Sequence, residues 1–75
     1  MNGENRNKYI VQNYRVDIEG EGGFELYVVS AEGPISAIEA GLRRYEAEHI
    51  NSNARRCRVY TLGGELLLDK RLADQ

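Results

Sequence analysis

A chain of 75 residues has room for one domain, and at that size folding buries only about 60% of the surface the unfolded chain exposes. Its single cysteine, Cys57, rules out an intrachain disulfide, and no run approaches the roughly 18 apolar residues that span a bilayer. A net charge of −2 is far from the strongly basic balance of most nucleic-acid-binding domains.

The charge is unevenly spread. Asp17 to Glu48 holds eight carboxylates against Arg43 and Arg44, net −6, whereas Arg55 to Arg71 holds five bases against Glu65 and Asp69, net +3. A dipolar surface of this kind orients a protein partner. The polar opening, Met1 to Lys8, has no apolar signal core, so a cytoplasmic protein is expected, neither secreted nor membrane-inserted. Residues 1–7 read as a disordered tail, residues 8–72 as one α+β domain, and residues 73–75 as a second tail.

The first strand is predicted over Lys8 to Glu19. Ile10, Tyr14, Val16 and Ile18 are apolar at even positions, with Gln12 as a defect, and Arg15, Asp17 and Glu19 are charged at odd ones. Period two marks a half-buried strand. Gly20-Glu21-Gly22-Gly23 supplies a hairpin loop and lacks the Lys and Ser/Thr of a phosphate loop. Phe24 to Ser30 is the second strand. Phe24, Leu26 and Val28 share one face and Glu25, Tyr27 and Val29 the other, so both faces carry apolar side chains. The even set is expected to face the core and the odd set to stay bare.

Gly33-Pro34 opens a helix, because proline fits the first helical position. Ile35, Ile38, Leu42, Tyr45 and His49 follow as one apolar stripe, and the small Ala37, Ala40 and Gly41 let the backbone approach a sheet. Asn51 or Asn53 offers a left-handed cap. The last hairpin, Arg56 to Arg71, turns on Gly63-Gly64. A two-residue loop there pairs Leu62 with Glu65, Thr61 with Leu66, Tyr60 with Leu67, Val59 with Leu68, Arg58 with Asp69 and Cys57 with Lys70. Cys57, Val59, Thr61, Leu66 and Leu68 then share the greasy side. Arg58, Tyr60, Leu67 and Asp69 share the other, with Arg58 and Asp69 as a cross-strand ion pair.

The predicted order is β-β-α-β-β: a four-stranded antiparallel sheet with one amphipathic helix on one face. Strand order 2-1-3-4 makes every neighbour antiparallel; order 1-2-3-4 would make the second and third strands parallel. The helix is expected to pack on Tyr14, Val16, Ile18, Phe24, Leu26, Val28, Val59 and Leu68.

One helix leaves one sheet face uncovered. Alternation assigns Tyr27, Val29, Arg56, Arg58, Tyr60 and Leu67 to it, the residue types that protein interfaces concentrate at their centres. Self-association through this face, as a homodimer, and docking of a foreign protein fit it equally. Stacking of single-stranded nucleic acid or RNA on the same face is the rival reading, opposed by the acidic first hairpin. A second candidate surface is acidic: Glu19, Glu21 and Glu25. No catalytic set emerges. Cys57 falls on the core side with no evident base, and His49 is the only imidazole, so no enzyme activity, metal site or cofactor is expected. A small-ligand or enzyme subunit would have to assemble its site at a dimer interface.

The run Ser30-Ala31-Glu32-Gly33-Pro34-Ile35-Ser36-Ala37-Ile38-Glu39-Ala40, opening one amphipathic helix between a strand pair and a basic hairpin around Gly-Gly, resembles small phage- and mobile-element-encoded proteins of the anti-CRISPR type. The resemblance spans residues 8–72 and lies in size and element order. It implies a non-catalytic inhibitor or accessory protein that binds and blocks a protein complex, such as a host defence complex. It carries over no residue by position.

Overall fold

The structure, a computed structural model, describes residues 10–72. The tail readings for residues 1–7 and 73–75 lie outside them, as does the expected strand start at Lys8. The elements run β1 (Gln12–Gly20), β2 (Gly23–Ala31), α1 (Pro34–Glu48), β3 (Ala54–Thr61) and β4 (Leu66–Arg71). They form one antiparallel sheet in the order β2-β1-β3-β4, the expected α+β fold. β2 and β3 run parallel with β1 between them, and α1 is the crossover that joins them.

The phase of β2 differs from the expectation. The first hairpin closes Gly20 against Gly23 around the two residues Glu21 and Gly22, so Tyr14 opposes Val29, Val16 opposes Tyr27 and Ile18 opposes Glu25. Residues directly opposite point to the same side of a sheet. Because even positions of β1 oppose odd positions of β2, Tyr27 and Val29 lie under the helix, 5% and 6% exposed. Phe24, Leu26 and Val28 take the bare side, 56%, 48% and 53% exposed. The core is therefore Tyr14, Val16, Ile18, Tyr27, Val29, Cys57 and Val59 against Ala37, Ile38 and Tyr45 of α1, with Leu68 partly buried beside them.

Local chemistry fixes the helix. Gly33 is extended and its carbonyl accepts the Ala37 N–H at 2.9 Å, with Pro34 in the first turn. Asn51 takes the left-handed conformation just beyond the helix, at φ 72°. Gly41 is needed for contact: a Cβ there would stand 2.8 Å from Val16 Cγ1. The buried stripe starts one turn late, because Ile35 is exposed. Fully buried Tyr45 ties the helix to the first turn; its hydroxyl accepts the Gly22 N–H and donates to the Gly23 carbonyl, both at 3.0 Å.

The last hairpin keeps its expected register at the base and loses it toward the tip. Cys57 pairs with Lys70, Arg58 with Asp69 and Val59 with Leu68, but Tyr60 then pairs with Leu66. Leu67 is the extra residue of a bulge. The turn explains it: the Thr61 N–H donates to the Glu65 carbonyl and the Gly64 N–H to the Thr61 carbonyl, both at 2.9 Å, around Gly64 at φ +102°. Three residues, Leu62 to Gly64, span the turn in place of two, which offsets the register by one residue, and the extra residue at Leu67 takes that offset back before Val59 meets Leu68.

Candidate functional site

The bare sheet face is built in rows. Val28, Arg15, Tyr60 and Leu66 lie side by side across the four strands; Leu26, Asp17, Arg58 and Asp69 form the next row; Phe24, Glu19, Arg56 and Arg71 form the third. Alternation thus puts an apolar column on β2 and charged columns on the three other strands.

Apart from Arg71, the arginines of the charged columns are met by carboxylates of the same face. Arg15 grips Asp17 with two hydrogen bonds of 2.9 and 2.8 Å, which raises the guanidinium pKa, and its head lies 4.5 Å over the Tyr60 ring. Asp17 is 6% exposed even though it lies on the face opposite the helix, with both of its oxygens taken by Arg15. Arg56 grips Asp69 in the same two-pronged way at 3.0 and 2.8 Å, which holds that carboxyl below the usual range. Arg58 lies 3.5 Å from Asp69 and 3.7 Å from Glu19. The expected Arg58–Asp69 pair is present, although Arg56 makes the better bonds.

Of the residues assigned to this face from sequence, Arg56, Arg58 and Tyr60 lie in its rows on β3, whereas Leu67 is displaced into the bulge and Leu66, expected on the greasy side, takes its place opposite Tyr60. Tyr27 and Val29 do not belong to it. Tyr27 instead donates its hydroxyl to Glu48 Oε1 at 2.8 Å, and burial together with that bond pushes its pKa to about 12. Phe24, Leu26 and Val28 were missed, and the parity of the first hairpin is the signal that would have placed them.

The three carboxylates of the acidic reading do not form one surface. Glu19 reaches Arg58 on the bare face. Glu21, at the turn, lies 3.4 Å from the Arg55 guanidinium. Glu25 lies on the helix side, 3.0 Å from His49 Nε2. Glu25, Glu48 and His49 are the one group of three metal-ligating types gathered among the described residues, their ligating atoms within 4.8 Å of one another. All three already have partners inside the chain, Glu25 and His49 each other and Glu48 the Tyr27 hydroxyl. Cys57 is buried and burial pushes its thiol to about 11, far from a reactive thiolate; no hydrogen bond joins it to His49 among the described residues.

The arrangement can therefore present shape and apolar area, with few charges left to offer. No protein-family model matches the chain, and neither a curated protein nor a solved structure matches it.

Proposed function

We propose that the protein is a non-catalytic protein-binding module that docks a foreign protein on its bare sheet face. The observation that carries this reading is the combination on one face: an apolar column, Phe24, Leu26 and Val28, beside arginines whose charges are already met by carboxylates. A polyanion needs unneutralised cations along its path. Protein interfaces combine apolar area with arginine and tyrosine, and here the apolar column at the β2 edge has Arg15 next to it and Tyr60, Arg58 and Arg56 one strand further on. The resemblance in size and element order makes a small phage-derived inhibitor or accessory protein the preferred role, with a host defence complex as the preferred partner class.

The test is a double substitution away from β2. Arg58→Ala with Tyr60→Ala is expected to abolish binding of a partner captured by the wild-type chain and confirmed with purified components, with unchanged circular dichroism. Binding at the wild-type level by that variant would remove the face from consideration. Fluorescence polarisation with a labelled single-stranded oligonucleotide is expected to show no complex. Tight binding that collapses between low and moderate salt would instead favour the nucleic-acid reading.

A further inference from the structure

Strand β2 is an edge of the sheet with a single charge, Glu25, which is turned to the helix side and held by His49. Its nine residues, Gly23–Ala31, keep an unbroken register against β1 and contain no Lys, Arg or Pro. Natural edge strands are ordinarily blunted by just those residues or by bulges. Closure of the first hairpin by two residues makes Gly20 and Gly23 a hydrogen-bonded pair, so Glu25, Tyr27 and Val29 bond back to β1. The N–H and C=O groups of Phe24, Leu26, Val28 and Ser30 consequently point away from the sheet. Among the described residues nothing covers them.

The helix side of this edge is charged at both ends, with opposite signs. Glu25 and Glu48 stand at one end, beside His49. Arg44, its guanidinium 4.9 Å over the Tyr27 ring at mid-strand, and Arg43 lie toward the other, around a shallow groove they share with Val28, Val29 and Ser30 of β2 and Ala40 and Ala47 of α1. Neither arginine is in an ion pair among the described residues. A surface that is negative at one end and positive at the other complements itself when rotated by half a turn, the requirement of a two-fold interface.

We infer that two copies of this chain pair antiparallel along β2, about a two-fold axis at Leu26, and make one eight-stranded sheet. In that register Leu26 meets its own counterpart and Phe24 meets Val28 of the second copy, twice over. The carboxylates Glu25 and Glu48 of each copy approach Arg43 and Arg44 of the other. Both helices stay on one side and both bare faces on the other, so the two apolar columns merge at the centre. The inference does not rest on a foreign partner, since the pairing uses the edge and not the columns of β3 and β4.

Sedimentation equilibrium of the full chain should give twice the 8.5 kDa chain mass. Leu26→Lys, at a half-exposed position that the single chain tolerates, should weaken self-association by about 100-fold or more. Hydrogen exchange should show slow amides at Phe24, Leu26 and Val28 in the wild type and fast ones in Leu26→Lys. Glu25→Arg alone should weaken the dimer, and adding Arg44→Glu should restore most of it. A wild-type mass of one chain at every concentration overturns the inference. So does a dimer that survives Leu26→Lys, or one whose β2 amides exchange freely. Arg58→Ala with Tyr60→Ala should leave the mass unchanged, so failure of the docking reading and failure of this one give different results.

Discussion

The two edges of the sheet are built on opposite plans. β4 carries a bulge at Leu67 and ends in Asp69, Lys70 and Arg71, and its inner side is thinly covered, with only Leu68 half-buried. β2 is straight, has apolar residues on both sides, and lies under the helix with Tyr27, Val29 and Ala31 buried. One edge is guarded and weakly anchored; the other is lightly guarded and firmly anchored. A strand that stays rigid while its outer backbone groups remain open is suited to receive another strand, because little ordering is left to be done on contact.

The largest expected effect comes from cutting the anchor of β2. Tyr45 is fully buried and its hydroxyl satisfies two backbone groups of the first turn. Tyr45→Ala should cost about 3–5 kcal/mol in urea unfolding, enough to remove most of the stability of so small a domain. Tyr45→Phe keeps the ring and strands the Gly22 N–H and Gly23 carbonyl, for a loss of about 1–3 kcal/mol. If the two variants were equally stable, the ring would contribute nothing and the hydroxyl contacts to the turn would be the whole of the anchor.

A pair of truncations compares the edges directly. Val29 is buried under the helix on β2, whereas Leu68 on β4 is only half-buried. Val29→Ala should cost about 1.5–3 kcal/mol and Leu68→Ala about 1 kcal/mol, although leucine loses more atoms. The reverse ranking would mean that β4, not β2, carries the helix.

How much of this contrast could be read beforehand follows from the same residues. The single apolar face of β1, the Gly33-Pro34 helix start and the matched signs of Arg58 and Asp69 pointed to the element order, the strand order and the pairing at the base of the last hairpin. β2 defeated the pattern because Phe24, Leu26 and Val28 are as apolar as Tyr27 and Val29. Periodicity cannot choose between two greasy faces. The choice is made by the turn, and Gly20-Glu21-Gly22-Gly23 can close around two residues or four. The bulge at Leu67 was hidden for a related reason: Gly63-Gly64 suits a two-residue loop, but Gly64 serves as the left-handed third residue. At the bare face, β3 was legible by alternation, while the burial of Asp17 was not, because its partner is Arg15, a side chain of its own strand and sheet face.

The sealed inner side of the sheet also has a pH signature. Burial raises the Tyr27 hydroxyl to about 12 and the Cys57 thiol to about 11, from ordinary values of 10.0 and 9.0. Between the ordinary and the raised value, the unfolded chain has released its proton and the folded chain still holds it. Stability is therefore fully present below pH 9 and declines as pH rises through about 11 and then 12. Cys57→Ala should flatten the first part of the decline and Tyr27→Phe the second, in denaturant titrations run across that range. A Tyr27→Phe chain with the wild-type profile would place Tyr27 in water and return β2 to the opposite phase.

The smallest effect on stability belongs to the guards of β4. Lys70 and Arg71 are exposed, and neither appears in an ion pair among the described residues. Lys70→Thr with Arg71→Thr should shift unfolding by no more than about 0.5 kcal/mol, since exposed charges away from partners contribute little. Association should respond differently. With its charges gone, β4 offers a second edge for strand pairing, and a chain with two open edges can add copies without closing. Light scattering should then show species larger than the dimer, growing with concentration, where the wild type stops. If the stripped chain keeps the wild-type mass, the bulge at Leu67 alone is a sufficient guard, and deleting Leu67 in the same background should release the association that the charges did not control.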